Sequence, residues 1–185
     1  MPTLIPSPVI DECRLQFGRT RSLHLWRLDR MHHADLHFDA TTGLRFHTYE
    51  IMLSFILKFA VIAALGAPAL AVLIFEVLLS STSIFNHSNV RVPASLEPYL
   101  RLLVVTPDMH RVHHSIQVNE ANSNFGFNLP VWDRLFGTYR AQPRDGHETM
   151  TIGINQFRTE RDLRLDQMLA QPFREKASSY PINER

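Results

Sequence analysis

The sequence predicts an all-α protein in which an apolar helical hairpin carries a cap of histidine-bearing helices. Two observations predict this fold. Two apolar runs are separated by a short Gly-Ala-Pro breaker, and two histidine clusters of matching spacing lie on either side of the runs. A chain of 185 residues has room for one domain with a substantial core.

The composition excludes several classes of protein. Nineteen basic and eighteen acidic residues give a net charge of +1, so we expect no nucleic-acid partner. The single cysteine, Cys13, excludes an internal disulfide framework and any metal site built from several thiolates. Histidine is the unusual residue type, because six of the ten histidines fall in two short stretches.

The apolar runs predict a membrane hairpin over residues 48–85. Each arm is then about 18 residues or about 27 Å long, which is enough to cross the core of a bilayer. The alternative is a buried hairpin in a soluble protein, in which Lys58 and Glu76 would pair or reach the surface. The little chain available to cover the arms favours the membrane, although a mean hydropathy of −0.10 indicates a large polar portion outside it.

A hairpin returns the chain to the side of the membrane that it left, so both histidine clusters should lie on one face. Arg45, Arg91 and Arg101 flank the open end of the hairpin, whereas the turn carries no Lys or Arg. By the positive-inside rule, that face is cytoplasmic. We therefore expect an integral membrane protein with its histidines on the cytoplasmic side.

The two histidine clusters predict a metal site. One cluster is His110-Arg-Val-His113-His114, and the other repeats the frame with an aspartate first, as Asp29-Arg-Met-His32-His33. In a helix, the first, fourth and fifth positions share a face, so each cluster offers half a site. Adjacent histidines point about 100° apart, which favours two metals over one. The alternative is a surface helix with a chance run of histidines.

Other residues qualify as a ligand or as its support. His87 ends the second apolar arm, where the chain returns to the face of the clusters, and we expect it to be a ligand. Asp35 and Asp108 are candidates to hold imidazole N–H groups, and His47 is expected to have a supporting or structural role. Imidazole-rich sites suit zinc, copper, iron or nickel, and the spacing does not distinguish among them.

At these residues the chain resembles the fatty acid hydroxylase/sterol desaturase superfamily of membrane di-iron oxygenases. The resemblance runs from about residue 25 to 157 and rests on five segments. They read WRLDRMHHAD (26–35), TTGLRFHTYE (41–50), FNHSNVRVP (85–93), TPDMHRVHHS (106–115) and NFGFNLPVWDRLFGTY (124–139). It implies a helical membrane protein with a cytosolic cap, and O₂-dependent hydroxylation, less often desaturation, of a lipid in lipid biosynthesis.

The resemblance also implies a set of iron ligands, an electron-donating redox protein or reductase, and no catalytic residue beyond the ligands. Carried over position by position, the ligands are one isolated histidine and two histidine boxes, with Asp29 in the place of a histidine. They are His32, His33, His87, His110, His113, His114 and Asp29. Aromatic residues of the last segment, Phe125, Phe127, Trp132 and Phe136, could cover the site or pack on the interface, and for most of them packing is the expected role.

The chain departs from the family pattern before residue 25. The family carries a further pair of histidines on a preceding membrane helix, and residues 13–24 contain no such pair. We therefore expect an irregular lead-in over 1–24 that is truncated or divergent, a hydroxylase-like domain over 25–157, and a short helix (about 160–169) and disordered tail within 158–185. Activity stays open at this point: the alternative is a non-catalytic metal-binding membrane protein that holds zinc or a single metal.

Overall fold

The computed structural model describes residues 23–174, and this part of the chain is helical. The α-helices are α1 Leu23–His33, α2 Thr48–Leu65, α3 Ala69–Asn86, α4 Glu97–Leu103, α5 Pro107–His113, α6 Val118–Ala121, α7 Val131–Phe136 and α8 Leu165–Ala170. Three short 3-10 helices cover Thr42–Leu44, Glu160–Leu163 and Gln171–Phe173. Within residues 23–174 there is no β-strand, only an isolated antiparallel bridge between Ser115 and Ile152. The predicted all-α class is confirmed.

Helices α2 and α3 form the predicted hairpin. Each has 18 residues, and the turn between them uses Gly66 in the left-handed conformation (φ 61°), which glycine adopts without steric cost. Only 6% of the residues of α2 and 17% of those of α3 are buried within the described protein. Two long helices with exposed apolar surfaces are not the core of a soluble domain, and they are consistent with a membrane-associated protein.

The charged residues within the hairpin pair with each other. Lys58 Nζ lies 2.9 Å and 3.2 Å from the two carboxylate oxygens of Glu76 across the α2–α3 contact. The Lys58 ammonium also lies 5.8 Å from the ring centroid of Phe55. Both charges fall near the middle of an 18-residue helix, where an unpaired charge would be most costly in lipid.

The cap gathers at the open end of the hairpin. Helix α1 packs against the 3-10 helix Gln171–Phe173, while α3 packs against α5 and against the 3-10 helix Thr42–Leu44. A small apolar cluster of Trp26, Ala34, Ile154 and Phe157 joins α1 to the chain after residue 150. These contacts place both histidine-bearing helices over the same end of α3.

The C-terminal region differs in detail from the predicted single helix over about 160–169. Arg164 has an extended backbone (φ −71°, ψ 142°), so the segment splits into the 3-10 helix Glu160–Leu163 and α8. Helix α1 begins at Leu23, two residues before the predicted boundary. The predicted irregular lead-in otherwise falls on residues 1–22, and the predicted tail on 175–185, outside the described residues.

Removing one charge of the Lys58–Glu76 pair should destabilise the hairpin more than removing both charges. Lys58→Met or Glu76→Met alone leaves one charge at mid-membrane depth, at a cost of about 2–3 kcal/mol. The double variant Lys58→Met with Glu76→Met removes both charges and should recover most of the loss. Thermal unfolding in detergent micelles measures all three. Equal losses in both singles and an additive double would contradict the pairing argument.

Candidate metal centre

Both histidine clusters lie at the C-terminal ends of their helices. His32 and His33 end α1, His110 and His113 lie in α5, and His114 is the residue that follows α5. Helix α5 begins as the sequence predicts, with Pro107 in its first turn, and the side chain of Thr106 accepts a hydrogen bond from the Met109 N–H. His87 follows the last residue of α3. Three helix ends therefore meet at one point.

Four imidazoles form a compact group, here called the four-histidine cluster. A ring nitrogen from each lies within 4.8 Å of the others, and all four residues are at most 2% exposed. His87 Nε2 lies 3.3 Å from His32 Nε2 and 3.0 Å from His110 Nε2. The members of the cluster are His32, His87, His110 and His114.

The remaining predicted ligands lie directly beside this cluster. The ring centroid of His33 lies 4.7 Å from those of both His113 and His114. His33 Nε2 lies 3.5 Å from Asp29 Oδ2, one helical turn earlier in α1, and Asp29 is fully buried. His113 in α5 and His114 just after it therefore both lie beside His33. The structure thus brings all seven predicted ligands together, and their role as ligands stays a prediction.

Backbone carbonyl groups hold the imidazoles in orientation. His32 Nδ1 lies 3.0 Å from the Thr42 carbonyl oxygen, His87 Nδ1 lies 2.8 Å from that of Ser83, and His113 Nδ1 lies 2.9 Å from that of Ser123. An Nδ1–H that donates to a carbonyl leaves Nε2 deprotonated and able to bind a metal. In His32 and His87, Nε2 is also the atom that faces the cluster.

The residues expected to hold the imidazole N–H groups do not contact them directly. Asp35 accepts hydrogen bonds from the Thr42 hydroxyl (2.8 Å) and pairs with Arg45 (3.1 Å), so it acts on His32 only through the position of Thr42. Asp108 pairs with Arg111 instead. Short carboxylate side chains on these turns do not reach the rings, whereas backbone carbonyls lie beside them.

His47 has a structural role rather than a place in the cluster. Its side chain caps α2 by accepting from the Tyr49 N–H, and its Nε2 donates to the Leu169 carbonyl oxygen at 3.1 Å. The ring therefore joins the start of the hairpin to the C-terminal segment. This arrangement fits the structural alternative that the sequence left open for His47.

Burial makes the cluster neutral. Removal from water lowers the pKa of His87 to about 4 and that of His113 to about 3. The same desolvation, reinforced by neighbouring imidazoles, lowers the pKa of His32, His110 and His114 well below the ordinary value of 6.5. At neutral pH these residues are unprotonated, which is the form that binds a metal ion.

The residues present fit a metal ion. Both ring nitrogens of His114 and Nδ1 of His110 are buried and have no hydrogen-bond partner, which costs about 1–3 kcal/mol for each group. The Nε2 lone pairs of His32 and His87 face each other at 3.3 Å, an unfavourable contact unless a cation lies between them. Nitrogens about 2.1 Å from a shared tetrahedral ion lie about 3.4 Å apart, close to the observed spacing.

Aromatic rings enclose the cluster. Phe46 stacks on His32 with ring centroids 4.7 Å apart, and Phe38 lies 5.0 Å from His114. Phe125 lies 5.5 Å from His113 and is buried, as expected of a core residue. Phe127 lies 6.3 Å from His110 and covers the cluster from the side of the last segment.

Sequence reasoning missed Gly43, Phe38 and Phe46. A Cβ on Gly43 would lie 2.9 Å from Ser83 Oγ and 3.1 Å from His87 Nδ1, so glycine allows the chain to approach the carbonyl that orients His87. The segment TTGLRFH contained a signal in its isolated glycine, because such a glycine can mark a close backbone approach. The backbone carbonyl groups that orient the imidazole rings could not be predicted from the sequence, since every residue has a backbone carbonyl.

Comparisons with known proteins agree with the site. Residues 16–138, about two thirds of the chain, match the family model described as fatty acid hydroxylase. The ornithine lipid hydroxylase OlsE of Rhizobium tropici is 31% identical over 163 residues, which cover 88% of this chain and 47% of that protein. The alkylglycerol monooxygenase of Homo sapiens is 28% identical over 134 residues (72% of this chain, 29% of that protein). No solved structure matches.

The chain thus spans about half the length of the ornithine lipid hydroxylase and under a third of the alkylglycerol monooxygenase. The match includes the hairpin and every histidine of the four-histidine cluster. Helical architecture, motif order and similarity agree. The chain belongs to the fatty acid hydroxylase family, within the fatty acid hydroxylase/sterol desaturase superfamily.

Proposed function

We propose that this chain is the metal-binding part of a membrane lipid hydroxylase. The observation that carries the proposal is the four-histidine cluster, which is buried, neutral and short of hydrogen-bond partners at the open end of an exposed apolar hairpin. The family supports O₂-dependent oxidation of a lipid C–H bond as the reaction. Hydroxylation is favoured over desaturation, because the similar proteins are named as a hydroxylase and a monooxygenase.

Iron is the metal that the family implies and that the donor set accommodates. His32, His87, His110 and His114 would hold one ion, and His33 and His113 with the Asp29 carboxylate would contribute to a second. When bound, iron supplies the reaction of O₂ with a C–H bond, and the electrons come from a redox protein or reductase. Asp29 brings a negative charge to a position where the family has a neutral imidazole.

The protein's own residues orient the ligands, exclude water from the site and give a lipid chain access to it. The carbonyls of Thr42, Ser83 and Ser123 fix the ring orientations, and burial keeps the ligands unprotonated. Phe38, Phe46 and Phe127 exclude water from the cluster and offer an apolar surface to a lipid chain. In this proposal the hairpin holds the site at the border of the bilayer, and the arginines near its open end favour the cytoplasmic side by the positive-inside rule.

The proposed substrate is a polar lipid with a long apolar chain. The names of the relatives indicate an ornithine lipid and an alkylglycerol as substrates. Both lipids join a polar headgroup to an apolar chain, and they differ in the headgroup. A hairpin embedded beside the metal site would let the apolar chain approach from the membrane while the headgroup stays at the surface.

A second candidate function is metal binding without catalysis. Among residues 23–174, one group of histidines meets the spacing of a complete metal site, while His33, His113 and Asp29 form a smaller set. A protein that holds one ion, zinc included, would need no more than the four-histidine cluster. Oxygen consumption with a lipid and a reductase separates the two functions.

The four-histidine cluster should bind iron in stoichiometric amount. His114→Ala removes a buried ring with two unpartnered nitrogens, and we expect at least a tenfold loss of bound metal. His37→Ala is the matched control, because His37 belongs to the same stretch of sequence and is exposed. Elemental analysis of protein purified in detergent measures both.

Retention of metal by His114→Ala, or wild-type protein without metal after reconstitution with ferrous iron, would contradict the site. Equal metal loss in His37→Ala would show that the effect is not specific to the cluster.

The metal-free chain should lose stability as the pH falls from about 6.5 to about 4. The folded-state pKa of His87 is about 4, so the unfolded chain binds protons that the folded chain does not over this range. Each such imidazole lowers the free energy of unfolding by up to about 1.4 kcal/mol per pH unit. Thermal unfolding at pH 7, 6 and 5 tests this, and a constant melting temperature would contradict the burial of neutral histidines.

If the chain is a hydroxylase, it should incorporate an oxygen atom from O₂ into its lipid substrate. We expect ¹⁸O from ¹⁸O₂ in the product when membranes contain the protein, a reductase and an ornithine lipid or alkylglycerol, with mass spectrometry as the measurement. His110→Ala should abolish incorporation, and His37→Ala should preserve it. Iron binding without any incorporation, across both lipids, would favour the non-catalytic alternative.

A further inference from the structure

Two short helices of the cap have an inverted polarity. Helix α4 buries Arg101 (4% exposed), which pairs with Glu97 and donates to the Ala141 carbonyl oxygen at 2.6 Å. Helix α7 likewise buries Asp133 completely, with the N–H groups of Phe125 and Gly126 as donors. Each helix buries one charged side chain, Arg101 in α4 and Asp133 in α7, and exposes most of its apolar ones, although Arg134 of α7 is also exposed.

Six apolar side chains, that of Leu96 just before α4 and five within α4 and α7, are at least half exposed and are here called the interfacial patch. Their exposed fractions are 59% for Leu96, 70% for Tyr99, 60% for Leu102, 69% for Leu103, 67% for Leu135 and 50% for Phe136. The spacing of Leu96, Tyr99 and Leu103 places them on one face of α4. A contiguous apolar surface of this kind marks contact with a protein or a membrane.

The interfacial patch is continuous with the hairpin. Arg134 of α7 donates to the Arg101 carbonyl oxygen of α4 at 2.9 Å, which joins the two helices. Val105, just after α4, donates to the Asn128 carbonyl oxygen, and the Asn128 side chain lies 2.5 Å from Thr82 Oγ1 in α3. Asn86 Nδ2 donates to the Phe127 carbonyl oxygen beside it. These hydrogen bonds hold α4 and α7 beside the C-terminal end of α3, whose own apolar side chains are exposed.

We propose that the interfacial patch rests on the lipid surface, in the same leaflet in which α3 ends. Helices α4 and α7 have seven and six residues, about 10 Å each, so they lie along the interface and do not cross it. Tyr99 is suited to the headgroup level, where aromatic side chains with a polar end are enriched. Continuity with an apolar hairpin favours lipid over a protein partner.

This contact fixes the height of the metal centre above the bilayer. Only residues 104–106 separate α4 from α5, which bears His110 and His113. If the patch rests at the boundary between headgroups and acyl chains, the four-histidine cluster lies close to that boundary. Only the short helix α5 then separates the cluster from the acyl chains. The inference depends on the membrane location in the proposed function, but not on metal binding or catalysis.

Spin labels test the contact in the full chain reconstituted into phosphatidylcholine/phosphatidylglycerol vesicles. In a Cys13→Ser background, Leu103→Cys and Leu135→Cys place labels on the patch, Leu73→Cys serves as the hairpin reference and Arg144→Cys as the aqueous reference. Leu73 and Arg144 are 60% and 79% exposed, so these labels should not perturb packing. Relaxation by O₂ and by a water-soluble nickel chelate reports depth.

We expect the labels at 103 and 135 to show several-fold higher O₂ and lower nickel accessibility than the label at 144. Nickel accessibility equal to that at 144 would overturn the proposal. Spin–spin broadening that persists at high lipid dilution would assign the patch to a second copy, and low accessibility to both reagents would assign it to another protein segment; either result overturns it. If the label at 73 were as accessible to the nickel chelate as the label at 144, the membrane location would be overturned as well.

Discussion

The convergence of buried imidazoles is the constraint on which the rest of the structure depends. Four rings with at most 2% exposure meet within 4.8 Å, and desolvation holds them neutral. Neutral rings with lone pairs directed at one another are unfavourable alone and favourable around a cation. The three helix ends, the backbone carbonyls behind the rings and the surrounding phenylalanines all serve this arrangement. The cap is therefore organised around polar groups more than around an apolar core.

Oriented carbonyls are a rigid way to position such rings. The Ser83 carbonyl belongs to the last turn of α3, and the Ser123 carbonyl follows α6, so backbone geometry sets where His87 and His113 point. Thr42 is placed in turn by Asp35, which Arg45 holds. Close approach of the chain at Gly43 completes the arrangement. Orientation then depends little on flexible side chains, as a metal site of defined geometry requires.

Two regions of the protein, the hairpin and the helices α4 and α7, expose apolar side chains. The hairpin exposes its apolar side chains and pairs Lys58 with Glu76 between its arms. Helices α4 and α7 follow the same rule within the cap, since Arg101 and Asp133 are buried while leucines are exposed. Lipid, in which apolar surface carries no penalty, explains both regions by one principle.

Sequence alone determined the elements whose signal is local. The bounds of the hairpin, the start of α5 at Pro107 and the family followed from runs, breakers and motif order. The ligand candidates followed because histidine is rare and its spacing is regular. Tertiary structure decided which candidates share a site, since His47 lies apart and Asp108 pairs with Arg111. It also supplied the carbonyl partners and the inverted polarity of α4, because burial depends on long-range packing that no local pattern encodes.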